Sequence, residues 1–464
     1  MKEPKLTYSK YSHLIKVQGR SYLYHLASGR ICALQPEMTD IIPDTVDEPC
    51  RLASIHPDLY AALTDNGFIV AEDVDSTKEA IKSFIEYDTD PALFEITINP
   101  TLDCNLRCWY CYEEHLKGTG MKPETMDAIK HLIDRKVADT RLKHLAITFF
   151  GGEPLLKWKE VVMPLIKYGV GSARERGIGF NTGFTTNGVL LTRDKFSFLE
   201  QLGLRGTSFQ ISFDGSRAIH DRSRVYDAAH PTFDRMLEAV RTGAEMGFSM
   251  CVRFNYKADT LDSFGEVVDL MSAWPEETRR HITVNLQQVW QDSQGANNEI
   301  KGRAAAMQER IRSLGMHSEC DMVYHRHICY ADRENNVCIN YNGDVYKCTA
   351  RKFIADNREG RLLPDGSIEY NDRYRRRMAV KYSNSACLSC MIMPICNGRC
   401  SQGKLEASDP TVCYLGMDDS RKERYMLGSL ICRLTGESLP DSELQQIPFT
   451  VTSLSNNNQH FNNP

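Results

Sequence analysis

The stretch Cys104-Asn-Leu-Arg-Cys108-Trp-Tyr-Cys111 decides how the rest of the chain is interpreted. Its three cysteines have the spacing C-x3-C-x2-C and follow the apolar run Phe94–Ile98. Cysteine thiolates are the usual protein ligands of iron–sulfur clusters. Three thiols at this spacing can bind three irons of a cubic 4Fe–4S cluster and leave the fourth iron open. The motif therefore predicts a cluster with one iron available to a small molecule.

Length and composition indicate a soluble protein of several domains. The chain has 464 residues, which is too long for one ordinary core, and its 42% hydrophobic content is a globular value. The net charge of −5 argues against a general nucleic-acid or anionic membrane surface. We find neither a secretion signal nor an apolar run near the ~20 residues of a spanning helix. We therefore expect a cytoplasmic protein whose 16 cysteines serve metal binding or catalysis.

The first 75 residues predict a small α+β module of winged-helix type. Short strand-like runs come first, the helical segment Asp58–Asp65 follows, and Phe68–Val70 is a candidate last strand. An exposed strand edge in such a module could capture an extended peptide by β-addition. A structural cap on the next domain is an equally good interpretation. Residues 76–91 are acidic and polar, and we predict a linker there.

Residues 92–300 alternate short β-rich runs with longer helical ones, and this pattern predicts an α/β fold with a parallel sheet. The sheet could be open or curled into a partial, TIM-like (β/α)6 barrel. Ligands bind at the carboxyl ends of the strands in such sheets. The cysteine motif follows the first strand directly. The predicted strands are Phe94–Ile98, Leu145–Phe150, Phe180–Thr186, Ser208–Phe213, Phe248–Tyr256 and Ile282–Trp290.

The second of these strands runs into Gly151-Gly-Glu-Pro154. Paired glycines allow the backbone to approach a ligand closely, and Glu153 adds a hydrogen-bond acceptor. Taken alone, a tight turn before a helix explains the four residues equally well. One strand away from the cysteine motif, they predict a second part of the same site.

Together these motifs resemble the radical S-adenosylmethionine (radical SAM) enzymes over roughly residues 92–290. The resemblance implies that SAM chelates the open iron and that one electron cleaves it to a 5′-deoxyadenosyl radical, which abstracts hydrogen from carbon. It also implies that Gly151, Gly152, Glu153 and Pro154 hold the methionyl amino group and that Tyr110 touches adenine. The further candidate SAM contacts are Asn187, Ser212, Asp214, Arg224, Arg253 and Asn255.

A second group of cysteines lies in residues 320–415, after a predicted bridging helix at 301–319. Their order resembles the SPASM extension, the auxiliary-cluster domain of peptide-modifying radical SAM enzymes. That resemblance implies two auxiliary 4Fe–4S clusters, and three clusters in all. The first would take Cys329, Cys348 and Cys400, and the second Cys387, Cys390, Cys396 and Cys413. The alternative is a pair of structural zinc sites, since C-x2-C pairs are common zinc ligands.

The first auxiliary cluster needs a fourth ligand, for which Cys320 and Cys338 are the candidates. Asn342-Gly343 predicts a two-residue hairpin that puts Cys348 opposite Val337. Because adjacent strand residues point to opposite faces, Cys338 would then point away from Cys348, which favours Cys320. An open site that binds a substrate thiolate is the remaining alternative. Residues 416–464 are predicted to form a C-terminal helix and a disordered tail.

The two resemblances imply a maturase of ribosomally made peptides. Residues 1–75 would bind the leader of a precursor peptide as an added strand, and residues 92–300 would place the core peptide over the radical. The auxiliary clusters would accept the electron left after oxidation, giving a thioether, carbon–carbon or carbon–oxygen crosslink. A reductant such as flavodoxin or ferredoxin is implied, and the catalytic base stays unknown.

Two alternatives differ in function. An anaerobic sulfatase maturase, which makes formylglycine, is expected to carry an Asp directly after the second motif cysteine, where this chain has Thr349. A zinc-binding adapter would be no enzyme at all.

Overall fold

The computed structural model describes residues 5–225, 230–289, 292, 298–318, 329–398, 400–407, 409, 411–436, 439 and 441–455. The strands, in chain order, are β1 (Leu6–Tyr8), β2 (Ser12–Val17), β3 (Arg20–His25), β4 (Arg30–Leu34), β5 (Ile69–Ala71), β6 (Leu93–Ile98), β7 (His144–Phe149), β8 (Gly179–Thr186), β9 (Ser208–Phe213), β10 (Ser249–Tyr256), β11 (Ile282–Gln288), β12 (His317–Ser318), β13 (Asn336–Ile339), β14 (Asp344–Tyr346), β15 (Gly360–Leu362), β16 (Ile368–Tyr370) and β17 (Phe449–Ser453).

The α-helices are α1 (Met38–Asp44), α2 (Arg51–Ile55), α3 (Pro57–Asp65), α4 (Ser76–Asp88), α5 (Pro123–Val137), α6 (Met163–Arg176), α7 (Arg193–Gln201), α8 (Arg217–Ser223), α9 (Phe233–Glu245), α10 (Gly265–Ser272), α11 (Glu276–Arg279), α12 (Asn298–Ser313), α13 (Asp372–Val380), α14 (Ser385–Ser389), α15 (Met393–Cys396), α16 (Ser401–Glu406), α17 (Asp419–Thr435) and α18 (Asp441–Leu444). A 3-10 turn (Pro154–Lys157) and a π-helical turn (Trp158–Val162) lead into α6.

The chain divides into two compact units. The sheet unit comprises residues 89–321 and 330–376, and the terminal unit comprises residues 1–88, 322–329 and 377–464. These units divide the chain differently from the predicted domains. The N-terminal module and the last cysteines share one unit, whereas the hairpin that precedes Cys348 belongs to the other.

The sheet unit is built on one mixed sheet with the order β12-β11-β10-β9-β8-β7-β6-β13-β14-β15-β16. Neighbouring strands from β6 to β12 are parallel, and β13 pairs parallel with β6. All six predicted strands are present at positions close to those expected, so the predicted α/β fold with a parallel sheet is confirmed. Its closure into a partial barrel stays a prediction.

Alternation along the strands separates an apolar face from a polar one. In β10, Met250, Val252 and Phe254 are fully buried and belong to the core that the sheet forms with the helices. The residues that alternate with them, including Arg253 and Asn255, are half-buried and point to the opposite face. Polar side chains from successive strands are thereby collected on one side of the sheet.

The terminal unit contains the antiparallel sheet β17-β2-β3-β4 and the small β1–β5 pair. The pairing of β17 with β2, in which Val451 lies opposite Ile15, was not predicted from the sequence. The N-terminal sheet is therefore completed by residues more than 400 positions later in the chain. The predicted disordered tail, residues 456–464, lies outside the described residues.

The polar segment after the N-terminal module is a helix, α4, and the prediction of a linker at residues 76–91 was wrong in this respect. Ala80 and Phe84 are buried on one side of α4, and the Phe84 ring stacks on Tyr382 with centroids 6.2 Å apart. Asp88, at its end, is buried and accepts a hydrogen bond from the Tyr382 hydroxyl at 2.7 Å. The other charged residues of α4 lie on its exposed side.

One apolar core joins the N-terminal strands to the cysteine-rich segment of the same unit. Its fully buried members include Tyr11, Ile15 and Tyr24 from the N-terminal region, Ile392, Met393 and Ile395 from the segment between Cys390 and Cys396, and Met426, Leu427 and Leu430 from α17. The N-terminal module is therefore part of the structure that holds these cysteines.

No helix among the described residues is long and apolar enough to cross a membrane.

Candidate active site

The three motif cysteines lie in the loop that follows β6. Cys104 is buried, its Sγ accepts a hydrogen bond from the Leu106 backbone N–H at 3.4 Å, and the Asn187 amide lies 3.7 Å away. Cys104, Cys108 and Cys111 all line one cavity of about 490 Å³ at the carboxyl end of the parallel strands. The predicted position of the motif is confirmed.

Burial controls the protonation of these thiols. It raises the pKa of Cys104 to about 12, with the charge of Glu153 adding to the effect, and it raises the pKa of Cys111 to about 11. Three thiolates so close together in a poorly solvated loop need a positive centre, and a coordinated metal deprotonates a thiol outright. The donor set fits an iron–sulfur cluster bound by three cysteines.

Gly151 and Gly152 pack directly against the cysteine loop. A Cβ atom at Gly151, which has φ +106°, would lie 2.5 Å from the Thr101 carbonyl oxygen. A Cβ atom at Gly152 would lie 2.2 Å from the carbonyl oxygen of Asp103. The close backbone approach that requires glycine here is the approach to the cysteine loop, and both glycines also line the cavity.

Glu153 braces the site from inside the protein. Its carboxylate accepts hydrogen bonds from the Leu155 N–H at 2.9 Å, the Thr186 hydroxyl at 2.8 Å and the Asn187 N–H at 2.8 Å. The side chain is completely buried, which raises its pKa to about 6 against the effect of these bonds. Glu153 also links to the cysteine loop, since its backbone N–H donates to the Asp103 carbonyl oxygen at 2.9 Å. Neither Glu153 nor the buried Pro154 lines the cavity.

Tyr110 is the centre of a polar network. Its hydroxyl donates to Asp214 Oδ1 at 2.7 Å and accepts from the Arg224 guanidinium at 2.5 Å and the Asn255 amide at 3.2 Å. Arg224 and Asp214 are both buried and form an ion pair at 3.2 Å. Three of the predicted SAM contacts are therefore brought together around the ring predicted to touch adenine.

The remaining candidates also lie at the cavity. Asn187, Ser212 and Arg253 line it, and the Arg253 Nε donates to Asn255 Oδ1 at 3.0 Å. Their assignment as SAM contacts stays a prediction. The carboxamides that sequence reasoning missed are Gln210, Gln287 and Gln288. Gln210 alternates with buried apolar residues along β9. A polar residue inside a predicted core strand was therefore the sequence signal that could have identified these carboxamides.

A buried carboxyl group beside the cavity was also missed. Burial, followed by the charge of Glu114, raises the pKa of Glu113 to about 9, and neither carboxylate oxygen has a hydrogen-bond partner among the described residues. Near it, the Tyr112 hydroxyl donates to the Thr349 carbonyl oxygen at 2.7 Å, and the Tyr330 hydroxyl lies 2.6 Å from the Thr349 hydroxyl. All four residues line the cavity, and Thr349 directly follows Cys348 in the chain.

The hairpin before Cys348 has a different register from the predicted one. Cys338 pairs with Tyr346 and Ile339 with Val345, because the loop contains Tyr341, Asn342 and Gly343 rather than two residues. Gly343 has φ +83°, as expected for the left-handed position of a three-residue hairpin loop. Extrapolated two residues beyond Tyr346, the strand places Cys348 on the same face as Cys338, so the face argument against Cys338 was wrong.

The last cysteines form a second site within the terminal unit. Cys387, Cys390, Cys396 and Cys413 line one cavity, as a shared cluster requires. Cys329 and Cys400 also belong to this unit, Cys348 belongs to the sheet unit, and Cys320 lies outside the described residues. Among the described residues no group of three or more His, Cys, Asp or Glu side chains is arranged to hold a single metal ion.

Comparison with known proteins agrees with this geometry. Residues 98–271 match the sequence model of the Radical SAM superfamily. This chain contains a radical SAM domain. The matched residues begin at the end of β6, include all three motif cysteines and extend to α10, so they cover β7 to β10 but not β11.

Known relatives extend the match beyond this domain. The chain is 23% identical to the radical SAM cyclopropyl synthase TigE of Paramaledivibacter caminithermalis over 92% of this chain and 95% of that protein. It is 27% identical to the PqqA peptide cyclase of Rhodopseudomonas palustris over 38% of this chain and 43% of that protein. The structure of native anSMEcpe with bound AdoMet and Kp18Cys peptide matches 74% of this chain and 100% of that chain with a TM-score of 0.55 and 16% identity, which shows a common fold.

Proposed function

We propose that this radical SAM enzyme matures a ribosomally made peptide by oxidative bond formation. The observation that carries the proposal is the joint presence of two sites in one chain. One cavity holds Cys104, Cys108 and Cys111 beside Gly151 and Gly152. The other, on the terminal unit, holds the four cysteines of a predicted auxiliary cluster.

The cavity suits a peptide substrate. A cluster with bound SAM supplies a carbon-centred radical that abstracts hydrogen, and the protein's own task is to bind, orient and exclude water. Beyond the residues predicted to hold SAM, the wall offers the carboxamides of Gln210, Gln287 and Gln288. A carboxamide both donates and accepts hydrogen bonds, as peptide groups require. Two relatives named above, a peptide cyclase and a peptide-bound structure, are consistent with such a substrate.

Among the possible products, we favour a new carbon–carbon bond. The relative that matches along nearly the whole chain is named a cyclopropyl synthase, and ring closure between carbons is that chemistry. Thioether and carbon–oxygen crosslinks are the alternatives. Each product contains two hydrogens fewer than the precursor, so mass spectrometry of a co-expressed peptide should show a loss of about 2 Da.

The leader of the precursor would bind at β4. Among the described residues this strand is paired only with β3, so its outer edge is open to an added strand. Because the N-terminal strands share a core with Ile392, Met393 and Ile395, deletion of residues 1–75 would also damage the cysteine site. A point substitution is the cleaner test.

We would therefore compare Ala33→Pro with Ala33→Thr in the full chain. Ala33 is exposed in β4, and proline removes a backbone donor from a strand edge while threonine keeps it. We expect Ala33→Pro to lose modification of a leader-bearing peptide, with iron content and SAM cleavage unchanged. Competition by excess free leader peptide is the second measurement. Normal modification by Ala33→Pro, without competition by the leader, would contradict this role.

Anaerobic reconstitution tests the enzyme class. The radical SAM and SPASM sites together should bind about twelve irons per chain and cleave SAM with dithionite. Cys104→Ala should stop cleavage and leave about eight irons, whereas Cys50→Ala, an exposed thiol outside both sites, should change neither. Two zinc ions and no SAM cleavage would instead indicate the adapter.

Formylglycine formation on a sulfatase is the second candidate. Thr349 stands where an Asp base is expected, and its hydroxyl lies 2.6 Å from the Tyr330 hydroxyl. Modification of a sulfatase-derived peptide, but not of a leader-bearing peptide, would favour that candidate.

A further inference from the structure

Three lysines from separate elements surround the second cysteine set, defined as Cys387, Cys390, Cys396 and Cys413. Lys10 lies between β1 and β2, Lys404 lies in α16 and Lys422 lies in α17. All three belong to the terminal unit together with the cysteines. Sequence reasoning assigned none of them a role.

Lys404 is a buried cation next to Cys387. Its side chain is 4% exposed, and its ammonium group donates to the carbonyl oxygens of Lys381 and Asn397. A methyl group added at Gly398 would lie 2.5 Å from the Cys387 Sγ and 3.5 Å from the Lys404 Nζ, so these two atoms are at most about 6 Å apart. Burial raises the pKa of Cys387, and the charge of Lys404 opposes that effect.

Lys422 and Lys10 act on Cys390. Lys422 lines the cavity, and its ammonium donates to the Asp419 carboxylate at 2.8 Å. That carboxylate is 84% exposed, so water screens it and it offsets Lys422 only weakly. The Lys10 ammonium donates to the Leu388 carbonyl oxygen at 2.8 Å, inside the turn that joins Cys387 to Cys390. Burial raises the pKa of Cys390, and both lysines oppose it.

Fixed cations favour the reduced state of a cluster at this position. A 4Fe–4S cluster with four thiolate ligands is an anion, and reduction adds one more negative charge. The interaction of that charge with a nearby ammonium strengthens as water is excluded, and it is strong for Lys404 because this side chain is buried. Charge and burial around a cluster are among the features that set its reduction potential.

We propose that Lys404 and Lys422, assisted by Lys10, raise the reduction potential of the second auxiliary cluster and make it the acceptor of the electron released by the substrate. The inference rests on the proposed function. Bond formation removes two hydrogens from the peptide. One leaves as an atom to give 5′-deoxyadenosine, and the other leaves as a proton to solvent and one electron. The oxidised cluster takes that electron and returns it to the oxidised flavodoxin or ferredoxin.

The test is a redox titration monitored by electron paramagnetic resonance. The protein is the full-length chain that carries the three substitutions Cys104→Ala, Cys108→Ala and Cys111→Ala. Only the auxiliary clusters contribute there. We expect Lys404→Gln and Lys422→Gln each to lower the reduced-to-oxidised ratio of one of the two signals about tenfold at a fixed ambient potential, which corresponds to 59 mV for one electron. Lys422→Arg keeps the charge and should leave the ratio unchanged.

Lys16→Gln is the matched control for charge. Lys16 lies in β2 of the same unit, is 44% exposed and does not line the cysteine cavity. If Lys404→Gln fails to bind iron, Lys422→Gln decides, since its side chain is partly exposed. Unchanged potentials with full iron content would overturn the inference, even if the chain that keeps its three motif cysteines oxidises the peptide. A shifted potential would support the role of the lysines; if the chain with all its cysteines and lysines intact does not oxidise the peptide, the proposed function is contradicted.

Discussion

Cys338 and Tyr346 are cross-strand partners in the hairpin that precedes Cys348. This register places Cys338 on the face expected for Cys348. Burial raises the pKa of Cys338 well above its usual value, and the charges of Glu113 and Cys348 add to this effect. Cys338 is nevertheless enclosed in an apolar cluster with Leu102, Tyr346 and Phe353. Its packing, rather than its direction, argues against cluster ligation.

We therefore predict that Cys320→Ala lowers the iron content by about four per chain, whereas Cys338→Ala leaves it unchanged. An unligated buried thiol behaves as a small hydrophobic residue, so its removal costs only packing. Iron and sulfide analysis after reconstitution measures both variants. Loss of iron in Cys338→Ala alone would transfer the ligand role to that residue, and full iron in both would indicate an open site.

Arg224→Met should destabilise the sheet unit and weaken SAM binding. It leaves the buried Asp214 carboxylate without its cation, a change that costs roughly 3–5 kcal/mol in comparable pairs. Thermal unfolding and equilibrium dialysis with SAM measure the two effects. Adding Asp214→Asn should recover part of the stability, because the uncompensated charge is then gone.

Arg222→Met is the control for that experiment, since Arg222 is exposed and lies two residues earlier in the same segment. We expect it to behave like the wild type. Equal losses in Arg222→Met and Arg224→Met would show that the buried pair has no special part in the site.

Gly152→Ala should disrupt the cysteine loop. The added methyl would lie 2.2 Å from the Asp103 carbonyl oxygen, which is too close for any side-chain adjustment to relieve. We expect loss of SAM cleavage and of about four irons, with the auxiliary clusters retained. Gly171→Ala is the matched control, because nothing lies within 4 Å of its added methyl and alanine favours a helix by roughly 0.5–1 kcal/mol.

Acidification should weaken the terminal unit through His13. Burial, with the charge of His25 adding, lowers the pKa of His13 to about 4. Because the folded-state pKa lies below the unfolded value of 6.5, the neutral ring stabilises the fold fully above that pH. The contribution falls by about 1.4 kcal/mol for each pH unit from there down to the folded-state pKa.

His13→Gln should remove this share of the pH dependence in thermal unfolding between pH 7.5 and 5.5, a range chosen around the histidine pKa of about 6.5. His56→Asn is the control, since His56 is exposed and asparagine preserves its capping of α3. A pH dependence as steep in His13→Gln as in the wild type would contradict the prediction.

Local patterns were sufficient to predict the parallel sheet and the position of the cysteine motif. Strand alternation and helix periodicity are set by nearby residues, and β9, at Ser208–Phe213, was predicted with its observed bounds. The same holds for the predicted place of Cys104, Cys108 and Cys111 after the first parallel strand. The family then followed from how closely Gly151–Pro154 stand to that motif.

Contacts between distant segments decided the rest. No local pattern specifies a contact between residues tens or hundreds of positions apart. Such contacts include the pairing of β17 with β2, the core that the N-terminal strands share with Ile392 and Ile395, and the approach of Lys404 to Cys387. The hairpin register depended on the position of the left-handed turn residue. Glu153 supports the site because its carboxylate accepts a hydrogen bond at the end of β8. The sequence by itself determined which chemical groups the protein carries, and tertiary packing decided which of them meet.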